Sequence, residues 1–304
     1  MFWSGDLRAR AAQLQWIHTT QSTRRLYRLV ETGRASVQKV TISQQGGRWW
    51  VSFSCRISQP VAVTPRRVEG DVVGVDVGLR YLATLSRPVE GLVDEHGHVP
   101  NPRVLASRLR ELRRVNRSVS RSVKGSKNHR RWKRRLARLH GEIARTRALH
   151  LHRLSKQLAS RFEVVVVEDL NVAGMSRRRK GQGRGLGRAV ADASWGELTH
   201  QLSYKTHDHG HLLVKVDRFF ASSKTCAECG TVKAKLDRHI RVYECDACGH
   251  VTDRDVNAAV NLATEGRRLL EAEEDSFLAG LRPERLSGDP RPGKTTPSGV
   301  ALVA

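Results

Sequence analysis

The chain has 304 residues, and its 54 Lys and Arg against 30 Asp and Glu give a formal net charge of +24. The length allows a sizeable hydrophobic core in two or three domains, and the charge indicates a polyanionic partner such as nucleic acid. No apolar run approaches the ~20 residues that span a bilayer, and the N-terminus lacks a signal-peptide core, so we expect a cytosolic protein with no membrane partner.

The first 64 residues are predicted to form a small β-rich module. Ser22–Glu31 has the start signal and the apolar spacing of a short helix. Residues 35–43 and 48–57 alternate between apolar and polar side chains, as strands do, and a glycine turn joins them as a hairpin. Pro60–Arg67 indicates a linker to the next domain.

Asp71–Ser86 predicts two adjacent buried strands that carry an unusual acid. Its apolar runs, 72–77 and 81–85, are separated by a turn that begins at Gly78. Asp76 lies inside the first run, where burying an unpaired carboxylate is costly unless it binds a cation. We therefore expect Asp76 to belong to a functional site rather than to a surface ion pair.

Residues 103–161 predict two helices with a basic outer face, after a third strand at Gly91–Val99. This segment holds 20 Lys or Arg against two acids, and leucines at helical spacing mark a first helix around residues 105–112. A longer amphipathic helix follows, with apolar residues from Trp132 to Leu158. Near-exclusive positive charge favours contact with a phosphate backbone. The candidate contacts are Arg130, Arg131, Lys133, Arg134, Arg135 and Arg138.

Residues 163–216 are predicted to return to the sheet through strand, loop, helix and strand. Glu163–Leu170 is an apolar strand that ends in two adjacent acids. Met175–Arg188 is rich in Gly and Arg without apolar periodicity, which predicts a mobile loop beside the site. Ala193–Thr206 has helical spacing, and His211–Val216 predicts a further strand.

Four of the five cysteines form two CxxC pairs, which predicts a structural zinc site. Fifteen residues separate the pair Cys226 and Cys229 from the pair Cys245 and Cys248, and this spacing is typical of four-thiolate zinc ribbons. Four thiolates close a tetrahedral site, so the neighbouring histidines are not expected to bind the metal. The fifth cysteine, Cys55, is expected to be packed and inert.

The C-terminal region is predicted to contain one closing helix and a disordered tail. In the segment Asp253–Asn261, two acids precede a run of small residues with helical character. Asp253 is a candidate cap for this helix, which would leave Asp255 in its first turn. A helix N-terminus also favours carboxylates without a metal, so chemistry alone does not separate the two roles. Residues 267–304 become acidic and then rich in Pro, Gly and Ser, as disordered tails are.

The order of these elements suggests an RNase H-like α/β fold, a mixed sheet flanked by helices. Widely spaced acids at strand and helix ends would then meet in one divalent-metal site. Two Mg²⁺ ions can clamp the attacking and leaving oxygens of phosphodiester hydrolysis, and a few carboxylates suit them. The acids assigned to this site are Asp76, Glu168 and Asp255. Glu168 competes with Asp169 and Glu163 for its position, and alternation along a strand end decides weakly between them.

Four motifs occur in order along the chain: GVDVG at 74–78, VVEDLNVAGM at 166–175, SSKTCAECG at 222–230 and CGHVTDRDVNAAVNL at 248–262. Together they resemble the TnpB family, the OrfB proteins of insertion sequences, which are related to type V CRISPR effectors. The resemblance implies a RuvC nuclease, a zinc finger, Mg²⁺-dependent cutting of target DNA and guidance by an RNA from the same mobile element. It also implies that the three RuvC acids are Asp76, Glu168 and Asp255, which decides Asp255 over Asp253.

The resemblance also implies how the chain is divided. Residues 1–64 would be the end of a wedge domain whose opening part is present in longer family members, so we expect a chain that is short at its N-terminus. The RuvC core would span 65–222 with a basic insert at 101–160, and the zinc ribbon 223–250. A closing RuvC helix would occupy 251–266, before the disordered tail. We expect the protein to act in the prokaryotic cytosol, in association with the nucleoid.

These expectations favour a transposon-encoded, RNA-guided DNA endonuclease with structural zinc and catalytic Mg²⁺. Two alternatives bind nucleic acid without cutting it: an RNA-guided DNA-binding regulator, and a truncated, inactive remnant. Regulators of this kind are expected to lose catalytic acids, whereas this chain keeps all three, which favours the enzyme.

Overall fold

The computed structural model describes residues 21–58, 71–177, 184–237 and 239–280, without the side chains of residues 45, 184 and 273–280. The chain divides into two compact units. One comprises residues up to 62 together with 108–145, and the other comprises 63–107 together with 146–304. No helix in the described part of the chain is both long enough and apolar enough to cross a bilayer.

The first unit is built from a short helix, a hairpin and parts of two basic helices. These elements are α1 (Arg24–Glu31), β1 (Ala35–Gln45), β2 (Arg48–Ile57), and parts of α2 (Val104–Arg121) and α3 (Lys127–Arg161). The two strands are antiparallel, with Val40 opposite Phe53. Gly46 and Gly47 form their turn with φ of 59° and 74°, which glycine adopts without steric cost. The predicted helix and hairpin are confirmed, as are the two basic helices.

The second unit contains a mixed five-stranded sheet. Its strands are β3 (Val72–Asp76), β4 (Tyr81–Leu85), β5 (His98–Pro100), β6 (Val164–Glu168) and β7 (Leu212–Val216), in the order β5-β4-β3-β6-β7. β3, β6 and β7 are parallel, while β4 and β5 pair antiparallel to their neighbours. The third strand was predicted over Gly91–Val99, but β5 is shorter, because Asp94 Oδ1 accepts hydrogen bonds from His96 N (3.0 Å) and His98 N (2.8 Å) and closes a turn.

Helices cover both faces of this sheet. On one face, Val165 and Val167 pack with the end of α3 and with α6 (Trp195–Asp208), which contributes Leu198 and Leu202. On the other face, Val166 packs with α7 (Arg254–Gly280). Strands buried on both faces read as continuous apolar runs, which is why β3 and β6 were predictable from sequence.

The Gly- and Arg-rich stretch is more ordered than predicted. Met175 belongs to α4 (Val172–Ser176), and residues 184–188 belong to α5 (Arg184–Ala193). Asn171 starts α4, because its Oδ1 accepts a hydrogen bond from Gly174 N (2.9 Å). The prediction of a continuous loop over Met175–Arg188 is therefore wrong at both ends. Residues 178–183 and the predicted linker Pro60–Arg67 lie outside the described residues.

The closing helix is longer than predicted. Asp253 ends the short hairpin of β8 (Val242–Glu244) and β9 (Val251–Asp253), and α7 then runs to Gly280 rather than stopping at residue 266. Leu269 and Leu270 pack against the sheet core, which explains why the helix continues. The predicted disordered tail is thus helical over 267–280, and its remainder lies outside the described residues.

Candidate active site and cysteine cluster

Two of the predicted acids lie side by side at one edge of the sheet. Val75 of β3 is in register with Val167 of β6 in a parallel pair. The following residues, Asp76 and Glu168, are the last residues of their strands. Because the carboxyl ends of neighbouring parallel strands meet at one edge, the two carboxyl groups occupy the position in which open α/β sheets commonly bind ligands.

The third acid arrives on α7, which lies against the sheet with almost no space between them. A Cβ on Gly74 would lie within covalent-scale distance of the Ala259 carbonyl oxygen and 2.7 Å from Ala263 N. A Cβ on Gly266 would lie 2.8 Å from Val166 Cγ1. Glycines on both sides of the contact therefore let the helix backbone rest on β3 and β6.

The two acids at the start of α7 have different roles. Asp253 Oδ1 accepts hydrogen bonds from Asp255 N (2.8 Å) and Val256 N (3.3 Å). Asp253 is therefore occupied as a helix cap, the interaction that Ser, Thr, Asp and Asn make at N-caps. Asp255 is left in the first turn, with its Oδ1 3.9 Å from Arg241 Nη1.

The electrostatics show that Asp76 and Glu168 are both held in environments that disfavour their charged forms. Burial raises the pKa of Asp76 well above its ordinary value, and the negative charges of Asp255 and Glu168 raise it further, whereas Arg254 lowers it. Burial also raises the pKa of Glu168 to about 7, with a second contribution from Asp169. Crowded carboxylates of this kind are hard oxygen donors in need of counter-charge, a donor set that suits a divalent cation.

The competing acids next to Glu168 are placed differently. Asp169 Oδ2 forms an ion pair with Arg218 Nη2 at 2.8 Å. Glu163 precedes β6, at the opposite end of the strand from Glu168, and its N–H donates to the Asp71 carbonyl oxygen at 3.1 Å. Within the described residues, no ion pair forms with Glu168. The sequence did not reveal the Arg218–Asp169 pair, because 49 positions separate its members.

A cavity of about 620 Å³ opens beside Glu168, between the end of the sheet and the start of α6. Its wall includes Trp195, Gly196, Thr199 and Lys215. None of these residues was predicted to belong to the site, since helical spacing marks Trp195 only as an inward-facing residue.

The four predicted cysteines form one cluster, and their sulfur atoms all lie within 4.8 Å of one another. Cys226 Sγ is 3.7 Å from Cys248 Sγ, and Cys229 Sγ is 3.6 Å from Cys245 Sγ. Four sulfurs at about 2.3 Å from a central Zn²⁺ would be ~3.8 Å apart, so the cluster fits a tetrahedral metal. It could bind a metal such as zinc.

Hydrogen bonds tie the cysteine loop to α7. Asn257, which is completely buried, accepts from Ala227 N (3.0 Å) and donates to the Thr225 carbonyl oxygen (2.6 Å). Asn261 donates to the same carbonyl oxygen (2.7 Å) and to that of Ser222 (2.8 Å). The cysteine cluster is thus connected to the helix that carries Asp255.

The six predicted nucleic-acid contacts are exposed on α3 but lie in two environments. The first environment is an open depression whose lining contains no acid, formed by Arg130, Arg131, Lys133 and Arg134. Arg131 also lines the second environment. Arg135 and Arg138 line a second depression with Glu111 and Glu142, and Arg135 Nη2 is 3.7 Å from Glu111 Oε1. The first environment therefore presents the less compensated positive charge.

Two family models match this chain. Residues 52–179 match OrfB_IS605, described as "Probable transposase", and residues 195–262 match "Cas12f1-like, TNB domain". The first segment contains Asp76 and Glu168, and the second contains the four cysteines and Asp255.

Two curated relatives share one descriptive name. A protein of Streptomyces pristinaespiralis named "Putative RNA-guided DNA endonuclease" is 38% identical over 249 residues, covering 82% of this chain and 56% of the relative. A Mycobacterium tuberculosis protein of the same description is 41% identical over 258 residues, covering 81% and 53%. The chain therefore spans about half the length of the curated relatives it matches.

A solved structure shares the fold. The cryo-EM structure of a Cas12f1–sgRNA–target DNA complex matches with a TM-score of 0.53 at 17% identity, covering 81% of this chain and 49% of that one.

The family models and the curated relatives confirm the resemblance indicated by the four motifs. Over residues 52–179 and 195–262, the chain belongs with the OrfB/TnpB transposase family and its Cas12f1-like relatives.

Proposed function

We propose that this protein is an RNA-guided DNA endonuclease of the RuvC type, which hydrolyses DNA phosphodiesters at Asp76, Glu168 and Asp255. What supports the proposal is that acids from three distant parts of the sequence lie close enough for the charges of Asp255 and Glu168 to act on the buried Asp76. Burial and then the negative charges of Asp255 and Glu168 raise the pKa of Asp76, and strongly perturbed carboxylates of this kind are concentrated at functional sites.

Two Mg²⁺ ions fit this donor set, because Mg²⁺ prefers hard oxygen ligands and needs only a few carboxylates from the protein. Asp76, Glu168 and Asp255 would hold the ions through their carboxylate oxygens. When bound, the ions would stabilise the charge that develops on the attacking and leaving oxygens. The protein contributes the rigid strand ends and helix start that hold the three carboxylates together.

The cysteine cluster would hold a structural Zn²⁺ ion. Four thiolates leave no open coordination position, so the ion would have no catalytic role. The ion would instead fix the cysteine loop, and Asn257 and Asn261 would connect that loop to α7 through their hydrogen bonds. Zinc would thus fix the start of the helix that presents Asp255.

The nucleic-acid partners would be a guide RNA and its DNA target. The names of the relatives and the net charge of +24 support this assignment. The exposed arginines of α3 would contact phosphates, while pairing between guide and target would read the sequence.

The test is to purify the protein from cells that carry its native locus, sequence the bound RNA and assay Mg²⁺-dependent cutting of matching DNA. Asp76→Ala should abolish cutting and leave RNA binding unchanged. Asp208→Ala, which removes an exposed acid far along α6, is the matched control and should cut normally. Specific RNA without cutting would point to the regulator or the remnant. Absence of specific RNA would overturn the guided mechanism.

A further inference from the structure

The cavity beside Glu168 contains an unusual helix start. Ser194 is the N-cap of α6, yet it has a φ of 54° and makes no capping hydrogen bond with its side chain. Its Oγ instead donates to the Ala191 carbonyl oxygen (2.9 Å) and accepts from Arg147 Nη1 (3.2 Å). The Ser194 carbonyl oxygen accepts from Glu197 N (3.0 Å) and Leu198 N (3.1 Å), so among the described residues the uncapped donors at this end of α6 are the N–H groups of Trp195 and Gly196.

A second donor in the same wall also lacks an acceptor. Trp195 is only 4% exposed, and its Nε1–H has no hydrogen-bond partner among the described residues. A buried donor without an acceptor is costly, and native proteins rarely retain one without a reason. Trp195 forms part of the cavity wall, and its Nε1 is closed off from solvent, so a ligand in the cavity supplies the missing acceptor once the indole turns toward it.

The remaining wall suits an anion rather than a neutral group. Lys215 of β7 is half-buried in it, and within the described residues no ion pair neutralises this lysine. Gly196 leaves open space, because a Cβ at this position would meet no atom within 4 Å. Two acids also line the cavity: Asp169 is already paired with Arg218, and Glu168 is assigned to the metal ions by the proposed function. The one acid in the first turn of α6, Glu197, accepts a hydrogen bond from Gln201 at 2.8 Å and is not part of the wall.

We propose that this cavity is a phosphate-binding subsite that holds a backbone phosphate of the DNA strand close to the scissile bond. Its donors would be the start of α6, the indole N–H of Trp195 and the ammonium of Lys215. A helix N-terminus with an added cation is a common arrangement for binding phosphate in proteins. The subsite would fix the register of the strand relative to the three acids. This inference rests on the proposed function for the identity of the strand, but not for the binding of phosphate.

The binding test uses the full chain labelled with ¹⁵N at the tryptophan indoles, so that each indole N–H gives one NMR signal. Trp195→Phe identifies the Trp195 signal. Titration with a 5′-phosphorylated dithymidine should move this signal, and Lys215→Gln should weaken the response about tenfold, as loss of a charged hydrogen-bond donor does. Lys235→Gln, which removes an equal charge from a side chain that is 84% exposed, should leave the response unchanged.

Two further probes separate the sources of the phosphate. Unphosphorylated thymidine should not move the signal, and inorganic phosphate should bind more weakly than the dinucleotide. Equal affinity for inorganic phosphate would overturn the assignment to a DNA strand. A Trp195 signal that no phosphate compound moves, or that moves equally in Lys215→Gln, would overturn the subsite.

A cleavage assay then links the subsite to the reaction. A single neutral methylphosphonate placed beside the cut should slow cutting by the guide-loaded wild type, and Lys215→Gln should remove that position dependence. A moving Trp195 signal in a protein that never cuts would leave the subsite standing and remove the proposed nuclease function. Normal cutting with an unmoved Trp195 signal would leave the proposed nuclease function standing and overturn the subsite.

Discussion

The Ala259 carbonyl oxygen of α7 lies where a side chain on Gly74 of β3 would begin. Two residues further along β3 is Asp76, and one helical turn before Ala259 is Asp255. The backbone contact between strand and helix therefore sets the separation of the two carboxylates. Gly74 is required for this close approach rather than for an unusual backbone conformation, since it is not among the residues with positive φ.

Gly74→Ala should lower the free energy of unfolding. It should also slow cutting by more than the smaller folded fraction explains. The added methyl group would push α7 away from β3, and overpacking of this kind costs about 3 kcal/mol. Urea unfolding would measure the loss. Gly185→Ala is the matched control, because a Cβ there meets no atom within 4 Å and alanine favours helix. A stable, fully active Gly74→Ala protein would contradict the close contact.

The sequence predicts those parts of the fold that depend on local pattern. β3 and β6 are apolar runs, the hairpin has a glycine turn, and the cysteines have ribbon spacing. Long-range contacts decided the rest. The end of α7 depends on Leu269 and Leu270 reaching the sheet core, which tail composition cannot reveal. Asp94 shortens β5 through backbone hydrogen bonds that no periodicity records.

The candidate site shows the same division. Asp76 stood out because an acid within an apolar strand is unusual, but chemistry alone left Asp253 and Asp255 unresolved. The hydrogen bond from Asp255 N to Asp253 Oδ1 shows which acid caps the helix. Arg218 had no signal in sequence and Trp195 was marked only as inward-facing, because their roles depend on partners and space that only the folded chain brings together.

Without divalent cations, the protein should become less stable as the pH rises. The folded-state pKa of Glu168 is about 7, above the model-peptide value of 4.5, so the native state binds more protons than the unfolded state between these values. The stabilisation is complete below about pH 4.5 and is lost as the pH rises through 7. Because the side chain is partly solvated, the loss should be of the order of 1–2 kcal/mol.

The measurement for this prediction compares unfolding free energies at pH 5 and pH 8, with zinc retained and Mg²⁺ absent. Glu168→Gln should remove its share of the pH dependence, and the difference from wild type isolates the Glu168 contribution. Mg²⁺ should restore stability at pH 8 in the wild type and less so in the variant. A pH dependence identical in both proteins would contradict the raised pKa.

Glu168 and Asp169 are neighbours with opposite expected sensitivities. Glu168→Gln should reduce the cutting rate by several orders of magnitude, because it removes a proposed ligand at the sheet edge. Asp169→Asn should retain most of the rate, since Asp169 is engaged by Arg218 at 2.8 Å. Single-turnover cutting with saturating guide RNA distinguishes the two. The opposite ranking would place the second metal ligand at Asp169.

Cys245→Ser should lose zinc and destabilise the second unit. Cys245 is buried in the cluster, and replacing a thiolate removes one of four ligands from a site whose binding energy supports the local fold. Metal analysis and thermal unfolding provide the readouts. Cys55→Ser, the same exchange outside the cluster, should keep the full zinc content. Retention of zinc by Cys245→Ser would contradict the four-thiolate site.

The two basic environments on α3 should differ in their salt dependence. Replacing Arg130 and Arg134 with Gln removes two charges that have no acidic neighbour in their depression. The slope of log K against log salt for duplex binding should then fall by about 1.8, at roughly 0.9 per lost phosphate contact. The same exchange at Arg135 and Arg138 should change the slope less, because Glu111 and Glu142 already share their charge. Equal changes for both pairs would show that the acids do not shield Arg135 and Arg138, and no change for either would place phosphate binding elsewhere.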